Sequence, residues 1–470
     1  MTKLLSSFLL AVASVSLQAQ NVGINTTNPA ERLHVAGNIK ADTVKPAALK
    51  LTPNAGSGKV LTSDAAGNAS WQPKSSTASI GFGTWGDCAT NSIISEYNPV
   101  GDEEGAGDDY FGRSVAISGN FAIVGAPLDD VGANNNQGSV SIYQHNGSEW
   151  VLMQKITDAT GAVSDDFGRS VSISGNFAVV GAPGDDVGAN TGEGSASIYQ
   201  YNGSTWVLMQ KISGTAGDGF GEAVYISGNY VVIGAPYDDV GSKTDQGSAS
   251  IYQYNGSTWV LMQMILDSNG ASDDRFGYAV SLEGSFVIVG ARYDAVGTNT
   301  DQGSASIYQY NGSTWVLMQK ITDAAGVAND WFGYSVSITG SFAAIGATRS
   351  DFVSTYKYNG STWVLMEKIT DSPNGGFGVS VAVSGNYLVV GASQETIGAN
   401  NRQGAAYIYK KVGSLWQKVL RITDPVGQAF AQFGAAVSFD ANTKRFLIGA
   451  PDDINSGNHK PGKVVFGIIN

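Results

Sequence analysis

The sequence is short of the residues that most often do chemistry. In 470 residues there is one cysteine and three histidines, and only 14% of the chain is charged. Cys88 has no partner for an intramolecular disulfide and reads as a small packed apolar residue, so the fold is stabilised without disulfides. His34, His145 and His459 are scattered and make no HExxH or paired ligand spacing, and no GxSxG elbow or Cys–His arrangement accompanies them. An enzyme is therefore not expected, although carboxylate pairs for acid–base work would look no different from the loop acids described below. Basic residues are also few: 27 Lys and Arg stand against 40 Asp and Glu, a net charge of −13. That balance argues against nucleic acid and anionic membrane surfaces, and would suit cations or basic partners. No segment has a helical apolar period behind a capping box, and no stretch approaches the ~20 apolar residues of a membrane span.

What is present begins with an address. Lys3, an apolar run from Leu4 to Val15 and a small, polar ending in Gln-Ala-Gln have the order of a secretory signal over residues 1–20, with a buried N-terminal helix as the alternative. The expected location is outside the cell or on its surface. Residues 21–84 differ in composition from the rest and read either as a stalk of the kind that precedes fibre-like domains, through which copies could self-associate, or as a flexible spacer.

The remainder, 85–470, is repetitive. FGRSVAISGNFAIVGAP begins at Phe111, and its relatives begin at Phe167, Phe220, Phe276, Phe332, Phe377 and Phe433. Units of this size fit four strands each, which is the signature of propeller blades. Within one unit, RSVSIS (169–174) alternates, FAVVGAP (177–183) reads as a buried strand, SASIYQY (195–201) alternates again, and TWVLMQKI (205–212) is the fourth strand. Asn202-Gly203 between the last two predicts a type I′ turn with both central residues at positive φ. The expected fold is an all-β, seven-bladed propeller of four-stranded blades. Seven Phe-Gly openings meet only six Trp-bearing fourth strands, at Trp150, Trp206, Trp259, Trp315, Trp363 and Trp416. The chain ends on a third strand, so an edge would be left open. Residues 91–100 have the length and alternation to pair with Val464–Ile468 and close the ring.

These units resemble the FG-GAP repeat family, the repeat of the integrin α-subunit propeller and of many bacterial surface proteins, over about residues 88–470. Calcium-binding members carry a DxDxDG-type loop between the first two strands. Here that connection is SGN, EGS, TGS or DANTK, so calcium is not expected there and no cofactor is expected.

Strand order sorts the loops. One face has only tight turns; the other carries the long, variable connections, where a binding site is expected. Asp129, Asp130, Asp185, Asp186, Asp238 and Asp239 follow the GAP ends on that face and could either hold a hard cation or cap their own loops. Tyr110, Tyr237, Arg275, Arg292, Tyr293, Trp331 and Arg349 break the repeat and are the recognition candidates. The fifth unit is shortened, leaving TRSDFVS (348–354) between strands, which could open a groove or be a harmless deletion. The expected function is that of an exported, surface-associated binding or adhesion protein recognising a protein or glycan. The alternatives are a structural or assembly module and a propeller hydrolase.

Overall fold

A computed structural model describes residues 59–63, 69–73, 94–101, 108–187, 191–215, 217–452 and 461–469. The chain divides into two compact units, residues 1–78 and 79–470. In the first, Lys59–Ser63 pairs antiparallel with Ala69–Pro73. The expected signal segment, residues 1–20, and the rest of the region expected to be a stalk or spacer lie outside the described residues. Among the described residues no helix is long and apolar enough to cross a membrane.

Among its described residues the second unit forms seven four-stranded antiparallel sheets, six of which follow the chain from inner to outer strand. Blade 2 serves for all. Its strands are Ser170–Ser174, Phe177–Ala182, Ser195–Tyr201 and Trp206–Ser213. The second strand is buried along its whole length, as its unbroken apolar run requires of a strand covered on both faces. The first and fourth show mixed burial, matching their alternation. Each Phe of the Phe-Gly pairs is at most 4% exposed, and the fourth-strand tryptophans are all buried. Seven core clusters result, each drawing side chains from successive blades, as in clusters that join Phe177 to Trp259 or Phe286 to Trp363.

The hairpin between strands three and four differs from expectation. Tyr201 pairs with Trp206, so the loop is four residues, Asn202 to Thr205. Only Gly203 is left-handed there, with φ of 100°. The Asn202 side chain takes the role assigned to a second positive φ: its Oδ1 accepts the amides of Ser204 and Thr205 at 2.9 Å each. This is an Asx turn rather than a type I′ turn, and Asn255, Asn311 and Asn359 repeat it.

Two devices join neighbouring blades. The fourth strand bulges at Met209, with Tyr199 opposite Leu208 but Ile198 opposite Gln210. Gln210 then clasps the next blade, its Nε2 donating to Trp259 O and its Oε1 accepting from Trp259 N, both at 2.9 Å. Further in, the glycine of each Gly-Ala lies against the Phe-Gly glycine of the following blade. Ser114 and Ser170 donate from Oγ to those same carbonyls, of Gly168 and Gly221, at 2.7 Å.

The ring closes where the strand count required. Ile94–Gly101 pairs antiparallel with Lys463–Ile469 and supplies the outer strand of blade 7. Pro99 is accommodated there because an edge strand can spare one amide. Phe466 stacks on Trp150 of blade 1 at 4.7 Å, and Gly119 N donates to Asp440 Oδ2 at 2.8 Å across the same seam.

Candidate functional site

The two mouths of the propeller differ in chemistry. At the tight-turn end, a cavity of about 540 Å³ is lined by residues that repeat around the ring, mostly Val, Ile and Ser of the inner strands. Inner-strand hydroxyls stitch blades together: Ser438, Ser172, Ser281 and Ser337 accept from Ile117, Ile226, Ile338 and Val383 amides at 3.0–3.1 Å.

At the long-loop end the lining does not repeat. The residue before each Phe-Gly is left-handed in all seven blades: Tyr110, Asp166, Gly219, Arg275, Trp331, Gly376 and Gln432, with φ between 54° and 66°. Two blades use glycine there, and five hold a side chain in a conformation that costs on the order of 1 kcal/mol. The glycine two positions later is also left-handed, with φ near 90°, so the chain turns sharply around the buried Phe. That turn presents two variable positions, the one before Phe and the one after Gly, to the mouth. Tyr110, Arg113, Arg169, Tyr334, Gln394 and Gln432 line a cavity of about 380 Å³ there.

Six of the seven recognition candidates come together beside it. Arg275 lies over Tyr237 at 4.7 Å and over Tyr293 at 5.2 Å; Arg292 lies over Tyr293 at 4.5 Å; Arg349 lies over Trp331 at 4.4 Å. Tyr293 meets Trp331 edge-on at 5.6 Å. Two residues not expected from the sequence complete the cluster: Tyr278, 3.6 Å beneath Arg292, and Tyr334, which stacks parallel to Trp331. Rings and guanidiniums thus alternate across blades 3 to 5. Arg275 also pairs with Asp245 at 4.0 Å. Tyr110 stands apart, across the mouth beside Arg113. Burial, then the neighbouring Tyr334, raises the Tyr278 pKa and keeps its hydroxyl protonated. Burial opposes the charge of Arg169, but Glu222, paired with it at 3.2 Å, together with Tyr278 and Asp166 raises its pKa on balance.

The loop acids are largely engaged in holding the loops. Lys155 pairs with Asp129 at 2.9 Å, and Lys211 pairs with Asp185 at 2.5 Å and with Asp158 at 2.7 Å. Asp130, Asp186 and Asp239 each accept a backbone amide six residues on, from Asn136, Gly192 and Asp245, at 2.7–2.9 Å. In blade 3 Met264 stands where blades 1, 2, 4 and 5 have lysine, and Asp238 instead faces Asp218, whose pKa is raised by burial and then by Asp238. Among the described residues no group of three or more His, Cys, Asp or Glu is arranged to hold a metal ion. The shortened loop of blade 5 spans only residues 348–351, with Phe352 buried behind it and Lys368 3.5 Å from that ring.

One loop acid has a readable titration. Asp274 is buried, accepts the Ala271 amide at 2.6 Å and lies near Asp267 and Asp294, which share Lys320. Burial, then Asp294, pushes its pKa up to about 6. A carboxyl raised in the fold binds its proton more tightly folded than unfolded, so its contribution is present below pH ~4 and lost as pH rises through 6. Asp274→Asn should therefore stabilise the domain by about 1–2 kcal/mol at pH 7. The gain should vanish near pH 4, read from melting temperatures of both proteins across that range.

The class is thus a seven-bladed propeller with one mouth of repeated Val, Ile and Ser side chains and one of unlike aromatic and cationic side chains. The FG-GAP repeat model matches residues 101–143, 150–199, 206–252, 259–308, 315–365 and 363–409, and the chain belongs to that family. No curated protein sequence matches it significantly. Among solved structures, the Cps50 (Swd1) β-propeller domain of Myceliophteria thermophila is similar at 11% identity and TM-score 0.50, over 80% of this chain and 100% of that one. A putative 6-phosphogluconolactonase from Bacteroides uniformis aligns at 12% identity and TM-score 0.48, over 73% and 94%. The first of these likenesses concerns the fold alone.

Proposed function

We propose that this is an exported, surface-associated binding protein that recognises a protein or glycan at the long-loop mouth of its propeller. One observation carries the reading: side chains that break the repeat gather at that mouth, several at left-handed positions where Gly219 and Gly376 show that glycine suffices. A residue kept at a strained position that the fold could fill with glycine is best accounted for by what its side chain touches.

Trp331→Gly separates function from stability. It relieves a positive φ while removing a ring from the cluster, so the melting temperature should stay within a few degrees of wild type. Binding to arrayed glycans and surface proteins should fall at least roughly tenfold, about 1.4 kcal/mol. A variant that binds everything the wild type binds, equally well, would remove recognition from this mouth and favour the structural or assembly reading. That second reading has its own support, a rim of half-exposed Val-Leu pairs such as Val207 and Leu208 repeated on five outer strands.

A further inference from the structure

We infer that the ligand of the long-loop mouth is a carboxylated polysaccharide, its carboxylates held by Arg292 and Arg349. The inference rests on recognition at this mouth and adds the chemistry of what is recognised. Five of the nine arginines of this acidic chain, Arg113, Arg169, Arg275, Arg292 and Arg349, are placed around or beside this one mouth. Arg169 and Arg275 have carboxylate partners, in Glu222 and Asp245. Arg292 and Arg349 pair with no carboxylate among the described residues. Their guanidiniums are held instead by ring faces: Tyr278 at 3.6 Å and Tyr293 at 4.5 Å for Arg292, Trp331 at 4.4 Å for Arg349.

A ring face fixes a guanidinium without neutralising it. The planar fork keeps N–H donors that the fold does not use, and its geometry matches a carboxylate; the Nε of Arg292 is buried, so a ligand would be met by its terminal nitrogens. Arg292 lies 5.7 Å from the same Trp331 ring that Arg349 covers, so the two cations are set as neighbours along one surface. A ligand using both must present anions in series.

A polyuronate does so on a stiff chain of pyranose rings, with little ordering entropy to lose on binding. An acidic peptide would have to be ordered residue by residue, a cost that a stiff saccharide chain largely avoids.

The test measures binding of the full chain to polygalacturonate, its methyl ester, neutral dextran, dextran sulfate and poly-glutamate at physiological salt. The variants are Arg292→Gln/Arg349→Gln and Lys444→Gln, the latter removing an exposed cation on the tight-turn face. The inference expects binding to polygalacturonate above the other four polymers. It also expects at least a roughly tenfold loss in the double variant and little change in Lys444→Gln. Arginine-dependent binding that favours poly-glutamate, dextran sulfate, the ester or dextran would overturn the carboxylated saccharide while leaving recognition at the mouth intact. Binding unaffected by the double variant, or none to any polymer, would overturn the inference; array binding that Trp331→Gly leaves unchanged would overturn the reading beneath it.

Discussion

Removing residues 463–470 should abolish the cooperative thermal transition of the whole propeller, although only eight residues are lost. Lys463–Ile469 is the third strand of blade 7 and pairs on one side with Arg445–Ala450 and on the other with Ile94–Gly101. Its Val464, Val465 and Phe466 are fully buried. Loss of side chains of this kind costs about 2–5 kcal/mol each, so three of them rival the ~5–15 kcal/mol that holds a domain folded. The truncation also detaches the outer strand of the same blade and leaves Trp150 of blade 1 without the Phe466 ring it stacks on. In an open array the damage could stay at one end; in a ring the last blade is also a neighbour of the first. Phe466→Ala should show the same weakness in graded form, at about 3–5 kcal/mol. Circular dichroism melts report both, and a truncated protein that melts like the wild type would exclude closure through these strands.

That closure was legible from a count. Seven Phe-Gly openings against six fourth-strand tryptophans left one outer strand to be supplied from elsewhere, and residues before Phe111 had the right pattern. The turn at Asn202-Gly203 was misread because the same dipeptide serves two loop lengths. A two-residue loop needs both residues left-handed, whereas a four-residue loop lets the Asn side chain cap the backbone; the register of Tyr201 against Trp206 decides between them. At the site, departures from the repeat pointed to Arg275, Arg292, Trp331 and Arg349. Tyr278 and Tyr334 were hidden because they follow Phe-Gly directly, inside the repeated motif rather than in the loops between its copies. The available signal was the series Arg113, Arg169, Glu222, Tyr278, Tyr334, Val379 and Ala435, a position that varies between invariant neighbours. The acids following the GAP ends could not be sorted from sequence, since only the fold brings Lys211, some 25 residues on, back to Asp185.

Gly234→Ala should be among the most damaging single methyl groups that can be added to this protein. Within a strand that exchange usually stabilises, by roughly 0.5–1 kcal/mol, because alanine loses less backbone entropy on folding. Here a Cβ on Gly234 would lie 1.9 Å from the carbonyl oxygen of Gly277 in the next blade, and 2.9 Å from its carbonyl carbon. The obstacle is backbone, so no side chain can turn aside. Gly277 itself, at φ of 95°, is anchored by the turn around the buried Phe276. The blades would have to separate, loosening the packing between Val232 and Val289 and their neighbours in the shared core. A loss of at least ~3 kcal/mol is expected, beyond ordinary overpacking because two backbones collide. The same geometry recurs at Gly125, Gly181, Gly290, Gly346, Gly391 and Gly449, each with its Cβ position 1.9–2.2 Å from the next blade's Phe-Gly carbonyl. This is the physical content of the motif: the glycine that ends one blade's second strand and the glycine that opens the next blade are two sides of one contact. Gly101→Ala provides the comparison, since its Cβ would stand 3.9 Å from the nearest atom and should be tolerated. If the two variants melt alike, the glycines are not what sets the distance between blades.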